Sequence, residues 1–203
     1  AIAAGRHVLV EKTMGASASE VAEILHAAAA SGVVTMEAVR NLHTPAHRLI
    51  ADALGRLGPL RQARIEKLQY SSRYDRFRAG DVPNAFDPTL GNSALADIGV
   101  YCLQPALDWF GTPRSTAGAS VVLGNGFEGA GSLQLAYDGL VVDLAWSKIT
   151  AGVNPSAILG EDAALTFDDP AEPTRIVLIP RGGQPEVLLD APTSAGGTLL
   201  HEV

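Results

Sequence analysis

Asp97 and Tyr101 stand four residues apart in DIGVYCLQPALDWF, residues 97–110. On a helix that spacing shares a face, so a carboxylate and a phenol would point the same way, one turn apart. Gln104 and Asp108 continue this face, while Val100, Leu103, Leu107 and Phe110 make an apolar stripe on another. Pro105 has no N–H for the carbonyl of Tyr101, so a kink is expected beside the phenol. Lys12 is the third candidate. It follows the apolar run HVLVE, and the carboxyl edge of a parallel sheet is where open α/β folds bind ligands. A lysine and a tyrosine converging on one hydroxyl suit hydride transfer. The alcohol must lose a proton as its carbon loses hydride, and a nearby ammonium favours the phenolate that would take it. The same residues admit a purely structural reading: Asp97 as a helix cap, Tyr101 packed with its hydroxyl at a surface, and Lys12 solvated at a strand end.

The elements that must position these groups are legible in part. HVLVE has the valine-rich composition of a strand buried on both faces of a parallel sheet. Ser17 and Glu20 have capping-box spacing, Val21, Ile24, Leu25 and Ala28 form an apolar stripe, and Gly32 marks a helix end. VVTMEAV, residues 33–39, is a second β-branched run, which completes a βαβ unit. Thr44-Pro45 opens another helix, with Leu49, Ile50, Ala53 and Leu54 on its apolar face. After Gly58-Pro59, strands alternate with turns. Leu133, Leu135 and Tyr137 lead through Asp138-Gly139 into Leu140, Val142, Leu144 and Trp146, a hairpin pattern. Further strands are predicted at residues 115–123, 164–167, 175–179 and 186–189. The fold class is therefore the end of a parallel α/β domain, residues 1–58, followed by an α+β domain on a mostly antiparallel open sheet, residues 59–203.

GNGFEG, residues 124–129, has the G-x-G-x-x-G spacing of a pyrophosphate-binding loop. Such a loop must follow a strand and open a helix, yet the sequence after it heads into the Asp138-Gly139 hairpin, so it reads as a connection between strands. The 203 residues are 47% hydrophobic with a net charge of −7. That balance argues against a nucleic-acid or membrane-surface partner and for a small molecule. One cysteine excludes an intrachain disulfide, which fits a cytoplasmic setting, and no run reaches the roughly 18 to 20 apolar residues of a bilayer span. His43 and His47 have ligand-like spacing, but Pro45 lies between them and no third ligand clusters nearby, so no metal is expected.

Four segments, in order, resemble the Gfo/Idh/MocA family of NAD(P)-dependent oxidoreductases. GRHVLVEKT resembles the strand that ends that family's Rossmann domain and carries a functional lysine, with Thr13 where a proline is usual. MEAVRNLHTP is similar to a Glu-Arg-Pro segment, SALADIGVYCLQPALDWFG to a D-x-G-x-H/Y helix, and AILGEDAALTFDDP to a hairpin. The resemblance implies NAD or NADP as cofactor, with Glu11, Lys12 and Arg40 on the cofactor side. It implies Lys12, Asp97 and Tyr101 as the catalytic set: Asp97 orients the substrate and Tyr101 exchanges the proton. Tyrosine at that position implies a sugar, polyol or vicinal diol substrate. It also implies a homo-oligomer through the antiparallel sheet, and places the first strand, its glycine-rich turn and the ribose-reading acidic residue ahead of Ala1. On that ground, and from the abrupt ends at AIAAG and LLHEV, the chain is expected to be a fragment, inactive by itself. Thr13 keeps open a second reading, a non-catalytic protein of the same fold that senses a sugar or dinucleotide.

Overall fold

A computed structural model describes residues 1–191; the LLHEV end lies outside the described residues. The first strand, β1 (Val8–Glu11), is followed by helix α1 (Ala18–Ala30) and strand β2 (Thr35–Ala38). β1 and β2 pair in parallel, Val8 opposite Thr35 and Glu11 opposite Ala38. At the head of α1, the Ser17 hydroxyl accepts from Glu20 N at 3.3 Å. Glu20 returns its carboxylate to Ala16 N at 2.7 Å, one residue earlier than the expected box. The expected burial of β1 on both faces does not hold. Val8 and Val10 share a groove with Ile24 and Ala27 of α1, but Leu9, pointing the other way, is 51% exposed. The cause is that, among the described residues, β1 and β2 pair only with each other, so one helix covers one side.

Helix α2 (Pro45–Ala53) starts at Thr44, whose hydroxyl accepts from His47 N at 3.1 Å. Strand β3 (Leu60–Leu68) follows Gly58-Pro59, then the short helix α3 (Tyr74–Arg78). A π-helical segment, Leu95–Gly99, runs directly into helix α4 (Val100–Phe110). The rest is strand: β4 (Ser115–Val122), β5 (Glu128–Tyr137), β6 (Leu140–Ser147), β7 (Ser156–Gly160), β8 (Ala163–Phe167), β9 (Arg175–Pro180) and β10 (Glu186–Asp190).

β3 to β10 form one eight-stranded sheet in the order β10-β9-β8-β7-β3-β6-β5-β4. Every neighbouring pair is antiparallel except β3 with β6, so the sheet is mixed. The parallel pair arises because the chain leaves β3 through residues 69–114, which carry α4, before returning to the sheet. GNGFEG connects β4 to β5, and Asp138-Gly139 turns β5 into β6 with Gly139 at φ 74°. The core gathers Ile50 and Ala53 of α2, Ile98, Cys102 and Ala106, and the inward strand residues Ile65, Leu144, Ile158, Leu165 and Ile176. No helix among the described residues is long and apolar enough to cross a membrane.

Candidate active site

Lys12, Asp97 and Tyr101 come together. Lys12 leaves the carboxyl end of β1 and donates its ammonium to the Asp97 carbonyl at 2.7 Å and to Asp97 Oδ1 at 2.8 Å. The Lys12–Thr13 peptide bond is cis. Asp97 sits in the π-helical segment and Tyr101 in the first turn of α4, with the phenol ring 5.3 Å from Lys12 Nζ. The capping alternative for Asp97 falls: its carboxylate faces two lysines, and the first N–H groups of the helical run go to other side chains, Leu95 N to Glu128 at 2.8 Å and Ala96 N to Ser93 Oγ at 3.0 Å. Gly99, between Asp97 and Tyr101, allows this packing. A Cβ there would lie 2.9 Å from the Trp146 ring of β6, so a larger residue would push the segment off the sheet. π-Turns of this kind occur often at functional sites, where they re-aim a side chain that a regular helix would place elsewhere.

Lys148 is the residue that the sequence reading missed. It follows β6 and gives its ammonium to Asp97 Oδ2 at 2.9 Å, so each carboxylate oxygen has its own lysine. Burial alone would raise the Asp97 carboxyl, but the bonds and charges of Lys12 and Lys148 hold it below the usual carboxylate range. A signal for Lys148 was present. Leu140, Val142, Leu144 and Trp146 mark the buried parity of β6, and residue 148 falls on the same parity.

Arg40 follows β2 and lies with its guanidinium 5.5 Å from the Tyr101 ring centre, while pairing with Glu172 at 3.2 Å. Burial would lower its pKa, but hydrogen bonds and charge from Tyr101 and Glu172 raise it. Glu37, also unassigned from sequence, ties the loop after β1 to α4. It accepts from Met14 N at 2.7 Å and from Gln104 Nε2 at 3.1 Å. Glu11 is exposed at the end of β1. Asp108, the far end of the expected polar face, bonds His47 Nε2 at 2.7 Å instead of approaching the lysines. A cleft of about 360 Å³ opens beside Lys12 and Asp97, walled by Thr13, Gly15, Asn84 and Asn92. Its volume falls in the range of small-molecule sites, roughly 300 to 1,000 Å³.

Fold and site together define a class: a βαβ unit that delivers a lysine to the helix-covered face of a mixed open sheet, with an aspartate and a tyrosine one turn apart as its partners. No protein-family model matches the chain. It is 40% identical over 182 residues to scyllo-inositol 2-dehydrogenase (NADP(+)) of Bacillus subtilis (strain 168), an alignment covering 90% of this chain and 56% of that protein. It is 30% identical over 182 residues to trans-1,2-dihydrobenzene-1,2-diol dehydrogenase of Mus musculus, covering 87% of this chain and 52% of that one. The crystal structure of aldose-aldose oxidoreductase from Caulobacter crescentus complexed with glycerol matches with a TM-score of 0.82 at 20% identity, over 99% of this chain and 61% of the other, a likeness of fold. By name these are two dehydrogenases, one of them NADP-dependent, and an oxidoreductase, in keeping with the resemblance to NAD(P)-dependent oxidoreductases of the Gfo/Idh/MocA type. The chain spans about half the length of the curated relatives it matches.

Proposed function

We propose that the chain carries the substrate-facing site of an NAD(P)-dependent oxidoreductase that acts on a carbinol carbon of a sugar, polyol or vicinal diol. The observation that carries the reading is the convergence of Lys12, Asp97 and Tyr101, with Lys12 and Asp97 lining a polar cleft and the Tyr101 ring beside the lysine. The similarity to an inositol dehydrogenase and a diol dehydrogenase supports the substrate class.

The residues present suit the nicotinamide end of a dinucleotide. The cleft lies past the carboxyl edge of the parallel pair, the position at which α/β folds meet ligands, and its walls offer the Thr13 hydroxyl and the Asn84 and Asn92 amides. Glu11, Lys12 and Arg40 are the side chains we assign to the cofactor side. The bound dinucleotide would supply the hydride chemistry. The protein's own groups supply the proton chemistry. Tyr101 takes the hydroxyl proton of an alcohol, or returns it to a carbonyl oxygen in the reverse direction, and Lys12 stabilises the oxygen anion formed beside it. Asp97 fixes the lysine through two of its own oxygens and leaves its carboxylate rim, 39% exposed, to orient a substrate hydroxyl.

The test uses the protein expressed from its complete gene, with NAD or NADP and a panel of inositols, aldoses and vicinal diols, followed by absorbance of the reduced nicotinamide. Turnover of at least one panel member is the expected result. Dinucleotide binding without turnover anywhere in the panel would replace this reading with a sensing role.

A further inference from the structure

Lys148 plays no part in the proton exchange just described, yet it is only 3% exposed. A buried ammonium loses its hydration and persists only where local acceptors replace the lost water. Here the acceptors are Asp97 Oδ2 at 2.9 Å and the Ala85 carbonyl at 2.6 Å. The rings of Phe86 and Phe127 stand 4.9 Å and 5.3 Å from its nitrogen and give the charge a cation–π surface. The other groups facing it are accounted for. Glu128 of β5 is spent on Leu95 N at 2.8 Å and Trp146 Nε1 at 2.7 Å. Lys12, from the end of β1, takes the opposite oxygen of Asp97.

We propose that Lys148 is a positioning residue that locks Asp97 and the cleft wall in one frame. Its bond to Oδ2 stops the carboxylate from rotating, which reserves Oδ1 for Lys12 and keeps that ammonium over Tyr101. Its bond to Ala85 fixes the turn Asn84–Phe86, whose Asn84 lines the cleft. Without it, both oxygens of Asp97 are free to capture Lys12, and the ammonium can be drawn off the phenol. This inference rests on the roles assigned to Lys12, Asp97 and Tyr101 under the proposed function.

The experiment reads Asp97 directly, by carboxyl-carbon NMR of the complete protein labelled in aspartate, with the signal assigned by its loss in Asp97→Asn. Lys148→Met raises the titration midpoint of Asp97 because one of its two ammonium partners is gone, whereas Lys148→Arg, which keeps the charge, leaves it near the wild-type value. In parallel, kcat on a polyol falls roughly tenfold to 100-fold in Lys148→Met with KM within about threefold, and Lys148→Arg recovers much of the loss. Should the methionine variant fail to fold, Lys148→Gln is measured in the same way. An unmoved Asp97 midpoint in the uncharged variant overturns the proposal. Absence of turnover in the wild-type protein would instead overturn the redox reading, and the Asp97 midpoint would still decide the role of Lys148.

Discussion

In the parallel pair with its helix, β1-α1-β2, the buried side chains are Ala28 and Ala38, while Leu9, Leu25, Val34 and Met36 stand exposed. In the eight-stranded sheet, Ile65, Leu144, Leu165 and Ile176 are all at 1% exposure or less. Apolar burial is the main source of folding free energy, so cooperative stability resides in the sheet and its helices. The site straddles this difference. Lys12 comes from the lightly packed region, and Asp97, Tyr101 and Lys148 from the heavily packed one. What joins Lys12 to its partners is a set of polar contacts, Lys12 to Asp97 and Glu37 to Gln104, reinforced by Arg40 to Glu172. Hydrogen bonds of this kind can be exchanged for bonds to a ligand, which interdigitated apolar side chains cannot do.

The largest expected effect is on chemistry, and it erases the difference between the regions. Lys12→Ala and Tyr101→Phe in the complete protein should each lower kcat by about 10² to 10⁴, the usual contribution of an acid-base step, with unfolding midpoints close to wild type. Steady-state kinetics beside a thermal melt checks both halves of that statement. Stability should separate the regions instead. In the 203-residue chain, Leu165→Ala in the sheet is expected to cost about 2 to 5 kcal/mol, against less than about 1 kcal/mol for Leu9→Ala, by denaturant unfolding. Equal costs would mean that the parallel pair is packed as tightly as the sheet.

A smaller loss, about 1 to 3 kcal/mol, is expected for Gly160→Ala. The added Cβ would lie 2.0 Å from the Leu57 carbonyl oxygen, where β7 presses against the chain entering β3. The pH dependence is the most modest effect, since the Asp97 side chain is 39% exposed and its ion pairs are screened. Its folded-state pKa is lowered, so its contribution is present above the usual carboxylate value of about 4 and lost as pH falls through the folded value. The stability gap between wild type and Asp97→Asn should therefore be widest near neutral pH and close in acid, as read by denaturant midpoints across a pH series.

Local signals carried much of the fold. The Ser17 and Thr44 caps, the Asp138-Gly139 turn and the alternation of β6 are each written in residues a few positions apart, and the structure uses each of them. β3 is not legible because LRQARIEKL keeps neither period, its apolar positions 60, 63, 65 and 68 being separated by polar residues, of which Arg61 and Lys67 pair with Glu161 and Asp169. The site was legible where residue types were unusual in context: a lysine at a strand end, an aspartate and tyrosine on one face. The second lysine showed its burial in the parity of β6 but not its role, which depends on a carboxylate far away in sequence. The π-helical turn was invisible for a similar reason, since nothing in LADIG distinguishes it from the α-helix that follows. Its Gly99 lies against the Trp146 ring of β6, a contact far away in sequence.

The most direct test of the proposed chemistry is the single-turnover rate of nicotinamide reduction by Tyr101→Phe, on a polyol that the wild-type protein oxidises. The substitution keeps the ring that lies against Lys12 and Arg40 and removes only the hydroxyl. The account predicts a rate at least about 100-fold below wild type with polyol binding changed by no more than a few-fold. A single-turnover rate equal to wild type would contradict it.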